Sequence, residues 1–378
     1  MTNKFIVPIP HQVDVKEVKK IIGYASENIE SFEIRDNNIY VCVSGNADCN
    51  EISANLSYLL DCYMSVEDKE KIIFNQERIS EDYISSADIY RSGLVKTSGA
   101  GLLNFNKEAV ALFDYFDNLF LSFAKLLGCE EKKYPVLLPI DAYRSTGYLK
   151  TSPQYAIFCC ELEENIQKIK GVGSITSLLK LLKEPINALS PSACFHVYDD
   201  IKDSELKSPV AITLKQNVFR NEGRFNFKEF GRLKSYTVRE IVFIGNSDYV
   251  TEKLNKMRNI IIEFLQAINL SSYIISSSDA FIVPEIQKIK DIQITEKSKY
   301  EVKIKVDSEN SLACASLNYH GISFSKPFHF NVFGAKNTVS GCIGFGLERW
   351  ILAFLSQFGC ELKNWPSEIK DTIKPRRD

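Results

Sequence analysis

With 378 residues, 46 Lys and Arg against 48 Asp and Glu and a net charge of −2, the chain has room for one large domain and one small one. A pI of about 6.2 and no basic tract apart from Lys374-Pro375-Arg376-Arg377 argue against a nucleic acid as partner, since such a ligand normally draws a positive footprint. No signal peptide or long apolar run is visible, and the ten cysteines include no zinc-ribbon CxxC pair, so a reducing cytoplasm is the expected setting and a membrane is not.

Residues 4–9 read as a strand, 15–26 as a helix, 31–35 and 39–43 as strands and 51–62 as a helix, a small βαββα module assigned to 1–66. A charged stretch over 64–81 with little periodicity, then a Ser-Gly-Ala-Gly loop over 93–103, mark a linker region at 67–103. The rest, 104–378, reads as one larger domain. It begins with a helix over 106–127 that repeats Leu112, Phe116, Leu119 and Phe123 at helical spacing, followed by Tyr-Pro-Val-Leu-Leu-Pro over 134–139. Residues 165–184 form a helical segment studded with Lys168, Lys170, Lys180 and Lys183, and Cys194 lies in a strand-like run over 189–198. Two strands, 211–219 and 235–244, are joined by a charged loop. An amphipathic helix over 248–269 comes next, its Lys253, Lys256 and Arg258 read as a solvated side. A strand over 315–320 and a glycine-rich strand and helix over 341–354 close the domain.

The hairpin at 211–244 presents several arginines and glutamates at one end of a sheet, a disposition suited to a triphosphate. A guanidinium such as Arg220 offers planar, permanently charged donors to a phosphate and to a carboxylate attacking it. Phe219-Arg220-Asn221-Glu222, then Arg232, Tyr236 and Glu240 at steps of four, resembles motif 2 of the class II aminoacyl-tRNA synthetases. The resemblance implies Arg220 at the α-phosphate, Arg232 at the far phosphates, Tyr236 (where the family usually has Phe) on the adenine, and Glu240 near the same nucleotide. Residues 341–354 resemble motif 3, in which Gly341, Gly344 and Gly346 let the backbone approach the nucleotide and Arg349 lies over the adenine and reaches the γ-phosphate. The helix over 106–127 and Pro139 resemble motif 1, which implies a homodimer.

Cys194, in Pro191-x-Ala193-Cys194-x-x-x-Tyr198, together with Glu222 and Cys342, resembles the Cys, Glu, Cys zinc site of the archaeal-type (methanogen) seryl-tRNA synthetases and of their truncated relatives, the amino acid:[carrier protein] ligases. Three protein ligands leave zinc an open position, and the implied role is to bind the substrate's α-amino group. The remaining cysteines read as small buried hydrophobes. Residues 146–155 resemble the family's Gly-Tyr-Leu-Lys-Ser-Phe-Pro segment beside the amino-acid pocket, with Ser152 in place of Phe, and Ser278-Asp279-Ala280-Phe281 resembles its Ser-Asp-Pro-Phe. The strand over 315–320 offers no glutamate where the family holds magnesium, which leaves Ser316, Asn318 and His320 as candidates. His196 and His329 read as hydrogen-bonded strand residues.

The resemblance implies an α+β chain whose catalytic domain is a class II synthetase antiparallel sheet flanked by helices. The implied reaction uses ATP, Mg2+ and Zn2+ to convert an amino acid to its adenylate, then transfers the aminoacyl group to the phosphopantetheine thiol of a carrier protein. The small N-terminal module, the acidic pI and a docking patch at Lys168, Lys170 and Lys180 favour a carrier over tRNA. An archaeal-type seryl-tRNA synthetase is the alternative, and a non-catalytic paralogue acting as an interaction protein is the second; the intact Arg220, Arg232 and Arg349 argue against the latter. The amino acid itself is not legible.

Overall fold

A computed structural model describes residues 3–373 except 12, 14, 64–69, 79–81 and 280; Ala280 and the basic tail from Lys374 fall outside the described residues. At the N-terminus, β1 (Asn3–Pro8), α1 (Val15–Ile21) with the turn Ile22–Tyr24, β2 (Ile29–Arg35), β3 (Asn38–Val43) and α2 (Cys49–Cys62) follow one another. β3 pairs antiparallel with β1 and β2. Period-two alternation turns Val7, Ile39 and Val41 into a core shared with α1 and α2, while Ile6 and Tyr40 face away. Asp48 caps α2, its carboxylate accepting from the amides of Asn50 and Glu51.

Residues 67–103 are more than a linker. β4 (Ile72–Gln76) is an edge strand of the large sheet. α3 (Ser86–Arg91) and the hairpin β5 (Val95–Gly99)–β6 (Leu102–Phe105) then send Ile89, Leu94 and Val95 into the main core. Residues 93–103 close as a hairpin because Gly101 takes φ +70° at its tip, where a side chain would collide with Phe227 and the Lys234 amide.

α4 (Glu108–Leu126) leads to β7 (Glu130–Glu131) and β8 (Leu137–Pro139), then α5 (Ile140–Ser145), α6 (Tyr148–Thr151) and β9 (Ile157–Cys159). The lysine-studded segment is two short helices, α7 (Ile166–Ile169) and α8 (Ile175–Leu179), parted by Gly171 and Gly173. After β10 (Asn187–Leu189) the expected strand breaks off. Pro191 has no amide to give a ladder, and α9 (Phe195–Asp200) starts with Cys194 at its N-cap. β11 (Glu205–Leu206), β12 (Val210–Phe219), β13 (Ser235–Gly245), α10 (Ser247–Ala267) and β14 (Ser272–Ser276) follow. The chain ends with α11 (Lys288–Thr295), β15 (Lys299–Lys305), β16 (Ser311–Gly321), β17 (Asn331–Val332), β18 (Val339–Gly346), α12 (Leu347–Phe358) and α13 (Ser367–Thr372).

Eight strands form one sheet in the order β4-β14-β15-β16-β18-β13-β12-β7. Their pairing is antiparallel except at β7–β12. α4, α10 and α12 cover one face through an aromatic core in which Phe120 stacks on Phe345 at 4.1 Å beside Phe116 and Trp350. A second cluster around Phe195, Tyr198 and Phe328 lies on the other face, with α5 and α9. Among the described residues no helix is long and apolar enough to cross a membrane.

Candidate active site

Strand register composes the site. Directly opposed residues of antiparallel strands point to one face, and two such rows cross the sheet. One runs Glu240, Gly344, Ser316, Glu301 and the other Val242, Cys342, Asn318, Lys299. The opposite face of β13 carries Arg239, which is 2% exposed and bound by Asp117 of α4 and by Glu131, each at 2.8 Å. That arginine fastens α4 to the sheet.

Two of the three arginines singled out in the sequence, Arg220 and Arg349, converge on Tyr236, a buried residue of β13. Arg220 leaves the end of β12, donates from Nε to Pro191 O at 2.9 Å, and sits 5.9 Å from the Tyr236 ring centre. Arg349, in the first turn of α12, donates to Gly231 O and Ala313 O and lies 5.5 Å from the same ring. An adenine between that ring and that guanidinium needs roughly 7 Å, two contacts of about 3.5 Å each, so Arg349 must move outward for a base to stack there. Gly346 N-caps α12, and a Cβ there would touch Tyr236 at 3.8 Å. Glu348 anchors the helix start, both carboxylate oxygens accepting from the Thr237 amide at 2.8 Å, and burial pushes its pKa up to about 7.

Arg232 is engaged otherwise. It donates to Glu222 at 3.1 Å and to Glu229 at 3.2 Å. Burial alone would raise the pKa of Glu222, but the charges of Arg232, Arg349 and Arg220 outweigh it and hold the carboxylate below its ordinary range.

This pairing corrects the expected zinc trio. Cys194, Glu240 and Cys342 have ligand atoms all within 4.8 Å of one another, and Glu222, in the loop beyond β12, is not among them. Glu240 opposes Gly344, whose missing side chain leaves the room it uses: a Cβ there would stand 2.7 Å from Glu240 Oε2. Two thiols and a carboxylate at this separation match the donor chemistry and size of a tetrahedral zinc site with an open position. Burial lifts the Glu240 pKa to about 7, against hydrogen bonds from Cys342 and Cys194. The neighbouring Cys194, then burial and Glu240, raise the Cys342 thiol well above its usual value. Around them, Asn318 Nδ2 and His320 Nε2 each lie 3.6 Å from Cys342 Sγ, and His320 Nδ1 meets Tyr198 Oη at 3.1 Å. Two of the three magnesium candidates are therefore spent on the thiol. Ser316 opposes Glu301, the carboxylate on that face of β15.

Beyond Asn318 in the second row, Lys299 is buried and ion-paired to Asp279 at 2.5 Å. Burial works against ionised Asp279, yet Lys299 and the bond from Gln293 outweigh it and hold its pKa down to about 2. Tyr155 and Tyr148, from the segment expected beside the amino-acid pocket, pack together, and Tyr155 lies 5.7 Å from the Arg220 guanidinium. Neither leftover histidine is on a strand: His196 is in α9 against Gln216, and His329 is an exposed turn residue at φ +52° beside Asp203. Lys168, Lys170 and Lys180 are exposed around α7 and α8, remote in sequence from these rows, and Lys168 pairs with Glu163.

The sheet, the arginine cluster around Tyr236 and the glycine strand entering α12 define a class II aminoacyl-tRNA synthetase fold. No family model matches the chain. It is 24% identical over 298 residues to the type-2 serine–tRNA ligase of Methanocaldococcus jannaschii, covering 74% of this chain and 57% of that protein. It is 25% identical over 257 residues to amino acid–[acyl-carrier-protein] ligase 1 of Bradyrhizobium diazoefficiens, covering 65% of this chain and 77% of that one. Its homologues are thus type-2 seryl-tRNA ligases of methanogens and an amino acid–carrier ligase, and the chain spans little more than half the length of the former. Among solved structures, M. kandleri SerRS in complex with A. aeolicus tRNASec superposes with a TM-score of 0.69 at 17% identity, over 98% of this chain and 77% of that one. Seryl-tRNA synthetase from Pyrococcus horikoshii complexed with ATP gives 0.58 at 12% identity, over 79% and 64%. The first of these matches takes in the N-terminal module as well as the catalytic sheet.

Proposed function

We propose that the protein activates an amino acid with ATP and transfers it, as a ligase, to the phosphopantetheine thiol of a carrier protein. The observation that carries activation is the placement of Arg220 and Arg349 at 5.9 Å and 5.5 Å from the Tyr236 ring centre, with Glu240 and Cys342 of the Cys194–Glu240–Cys342 cluster on the same sheet. A substrate carboxylate is already a nucleophile at neutral pH, so no side-chain base is needed. Its oxygen bonds to the α-phosphorus as the bond to pyrophosphate breaks. Arg220 stabilises the charge that grows on the α-phosphate, and Arg232 and Arg349 hold the outer phosphates. Arg232 must first leave Glu222. Magnesium enters with the triphosphate; Glu222, Glu229 and Glu301 are carboxylates near the arginines.

Cys194, Glu240 and Cys342 would hold zinc, and a zinc ion there supplies a Lewis-acid seat for the α-amino group. In the second half-reaction a thiolate attacks the acyl carbon and AMP leaves. The carrier reading is supported by the exposed surface of α7 and α8, where Ile166, Ile175 and Leu179 stand among Lys168, Lys170 and Lys180. Apolar contact ringed by lysines suits a small acidic partner. A homodimer belongs to the reading, with Val110, Leu126, Val136 and Leu137 exposed on the motif 1 helix and strand. A tRNA acceptor is the second reading, favoured by the similarity to the synthetase–tRNA complex over 98% of the chain. Pyrophosphate exchange into ATP, run across the amino acids, tests activation: exchange with one or a few small amino acids is expected, and none with any would sink it.

A further inference from the structure

The N-terminal module does not stand apart from the nucleotide site. We propose that it is an in-chain brace for the loop 220–234, which carries Arg220 and Arg232, and that it sets how tightly ATP is held; this rests on the reading above.

The loop has little structure of its own, one 3-10 turn at Asn226–Lys228, and its middle stretch, Gly223 to Asn226, finds its partners in the module. Phe225 packs into the module's core edge, its ring meeting Phe32 edge-on at 5.2 Å and leaving so little space that a Cβ on Gly23 would stand 3.0 Å away. Arg224 donates to Ser26 O and Ile29 O at 2.8 Å and to Glu27 at 2.9 Å. Asn226 Nδ2 bridges Lys20 O at 3.2 Å and Glu222 O at 2.5 Å, so one amide ties module, loop and the buried glutamate together.

Tyr24 completes the brace. Gly223 holds φ +87°, and a Cβ there would meet the Tyr24 hydroxyl at 3.0 Å. Burial, then the Glu222 charge, pushes the Tyr24 hydroxyl up, so it stays neutral beside the Glu222–Arg232 pair. A ring from the module therefore walls the place where Arg232 is kept. On the catalytic side the loop is also met by the hairpin tip, where Lys234 N donates to Gly101 O at 2.8 Å. With Arg220 on Pro191 O, the Asn221 amide on Tyr155 O and Arg349 on Gly231 O, the catalytic side fixes the loop's entry and exit, and the stretch between, from Gly223 to Asn226, is held by the module.

The test is a double-mutant cycle on the full chain, with Phe225→Ala, Phe32→Ala and both together, read by calorimetric ATP binding and by trypsin cleavage at Lys228 and Lys234. Each single variant should weaken ATP binding about tenfold and expose the loop to trypsin, the double no more than either, and Phe225→Tyr should restore both. Phe225 lies outside the module, so its variant leaves the module's own chain intact. Unchanged ATP affinity in both singles, additive losses, or a wild-type chain that binds no ATP would overturn the brace. Wild-type protein that binds ATP yet exchanges no pyrophosphate would instead sink the adenylation reading and leave the brace standing.

Discussion

Arg220 and Arg349 approach Tyr236 without a carboxylate partner in salt-bridge distance among the described residues, whereas Arg232 has two. Unspent charge in a partly enclosed site is what a phosphoryl transition state uses. Arg220→Ala and Arg349→Ala should each lower pyrophosphate exchange about 10²–10³-fold with little change in melting temperature, and wild-type rates in both would misplace the nucleotide. The thiol cluster separates two glutamates. Glu240→Ala and Cys342→Ser should lose zinc, measured by metal analysis of purified protein, while Glu222→Ala keeps it. Zinc retained in Glu240→Ala would return the ligand role to Glu222. That Arg220 and Arg349 lie near one another was legible because F-R-x-E and the glycine strand are local patterns. The place of Glu240 beside the two cysteines was not: it meets Cys342 only because β13 pairs with β18 and Gly344 leaves a gap between them, facts of register that spacing along the chain does not carry.

Elements cohere here through buried charge as well as apolar packing. The motif 1 helix was readable from its 3.6-residue repeat, since Leu112, Phe116 and Phe120 all enter the core. Its polar Asp117 is buried too, paired with Arg239 and with Lys215 at 2.7 Å. Cys194 misled: a run of small and apolar residues suits a strand or a helix start alike, and Pro191 decided it. Asp117→Ala leaves Arg239 buried and half-paired, which should cost about 3–5 kcal/mol in urea unfolding. Burial disfavours ionised Asp117, but Arg239 and Lys215 overcome this and lower its pKa. A carboxyl depressed on folding contributes stability that is complete above its unfolded value of about 3.9 and is lost as pH falls through the folded one. The gap between wild type and Asp117→Ala should therefore be constant from pH 7 to about 5 and narrow below about 4. A gap that widens in acid would show the aspartate to be held neutral.

At the scale of the whole molecule the open question is the acceptor, and charge supplies the means to decide it. The chain is nearly neutral, −2 over 378 residues, so steering of either acceptor must come from local patches rather than from net charge. The lysines around α7 and α8 form one such patch, with exposed Ile166, Ile175 and Leu179 between them. Lys168 already faces Glu163 and Lys183 faces Glu164, which leaves Lys170 and Lys180 the stronger candidates for a partner's acidic side. If a carrier docks there, replacing Lys168, Lys170 and Lys180 together by glutamate should slow thioester formation on the carrier while pyrophosphate exchange stays near wild type. Transfer should also fall with salt more steeply than exchange, because exposed charges are screened within about 10 Å at 0.1 M. A tRNA acceptor makes the contrary demand: it spans more of the surface, so these three lysines alone should matter little, and salt should weaken charging through many phosphate contacts. Side-by-side assays with a phosphopantetheinylated carrier and with tRNA therefore decide it. Stable aminoacyl-tRNA with no carrier thioester would reject the carrier reading; thioester formation lost in the triple variant would place the carrier on this face.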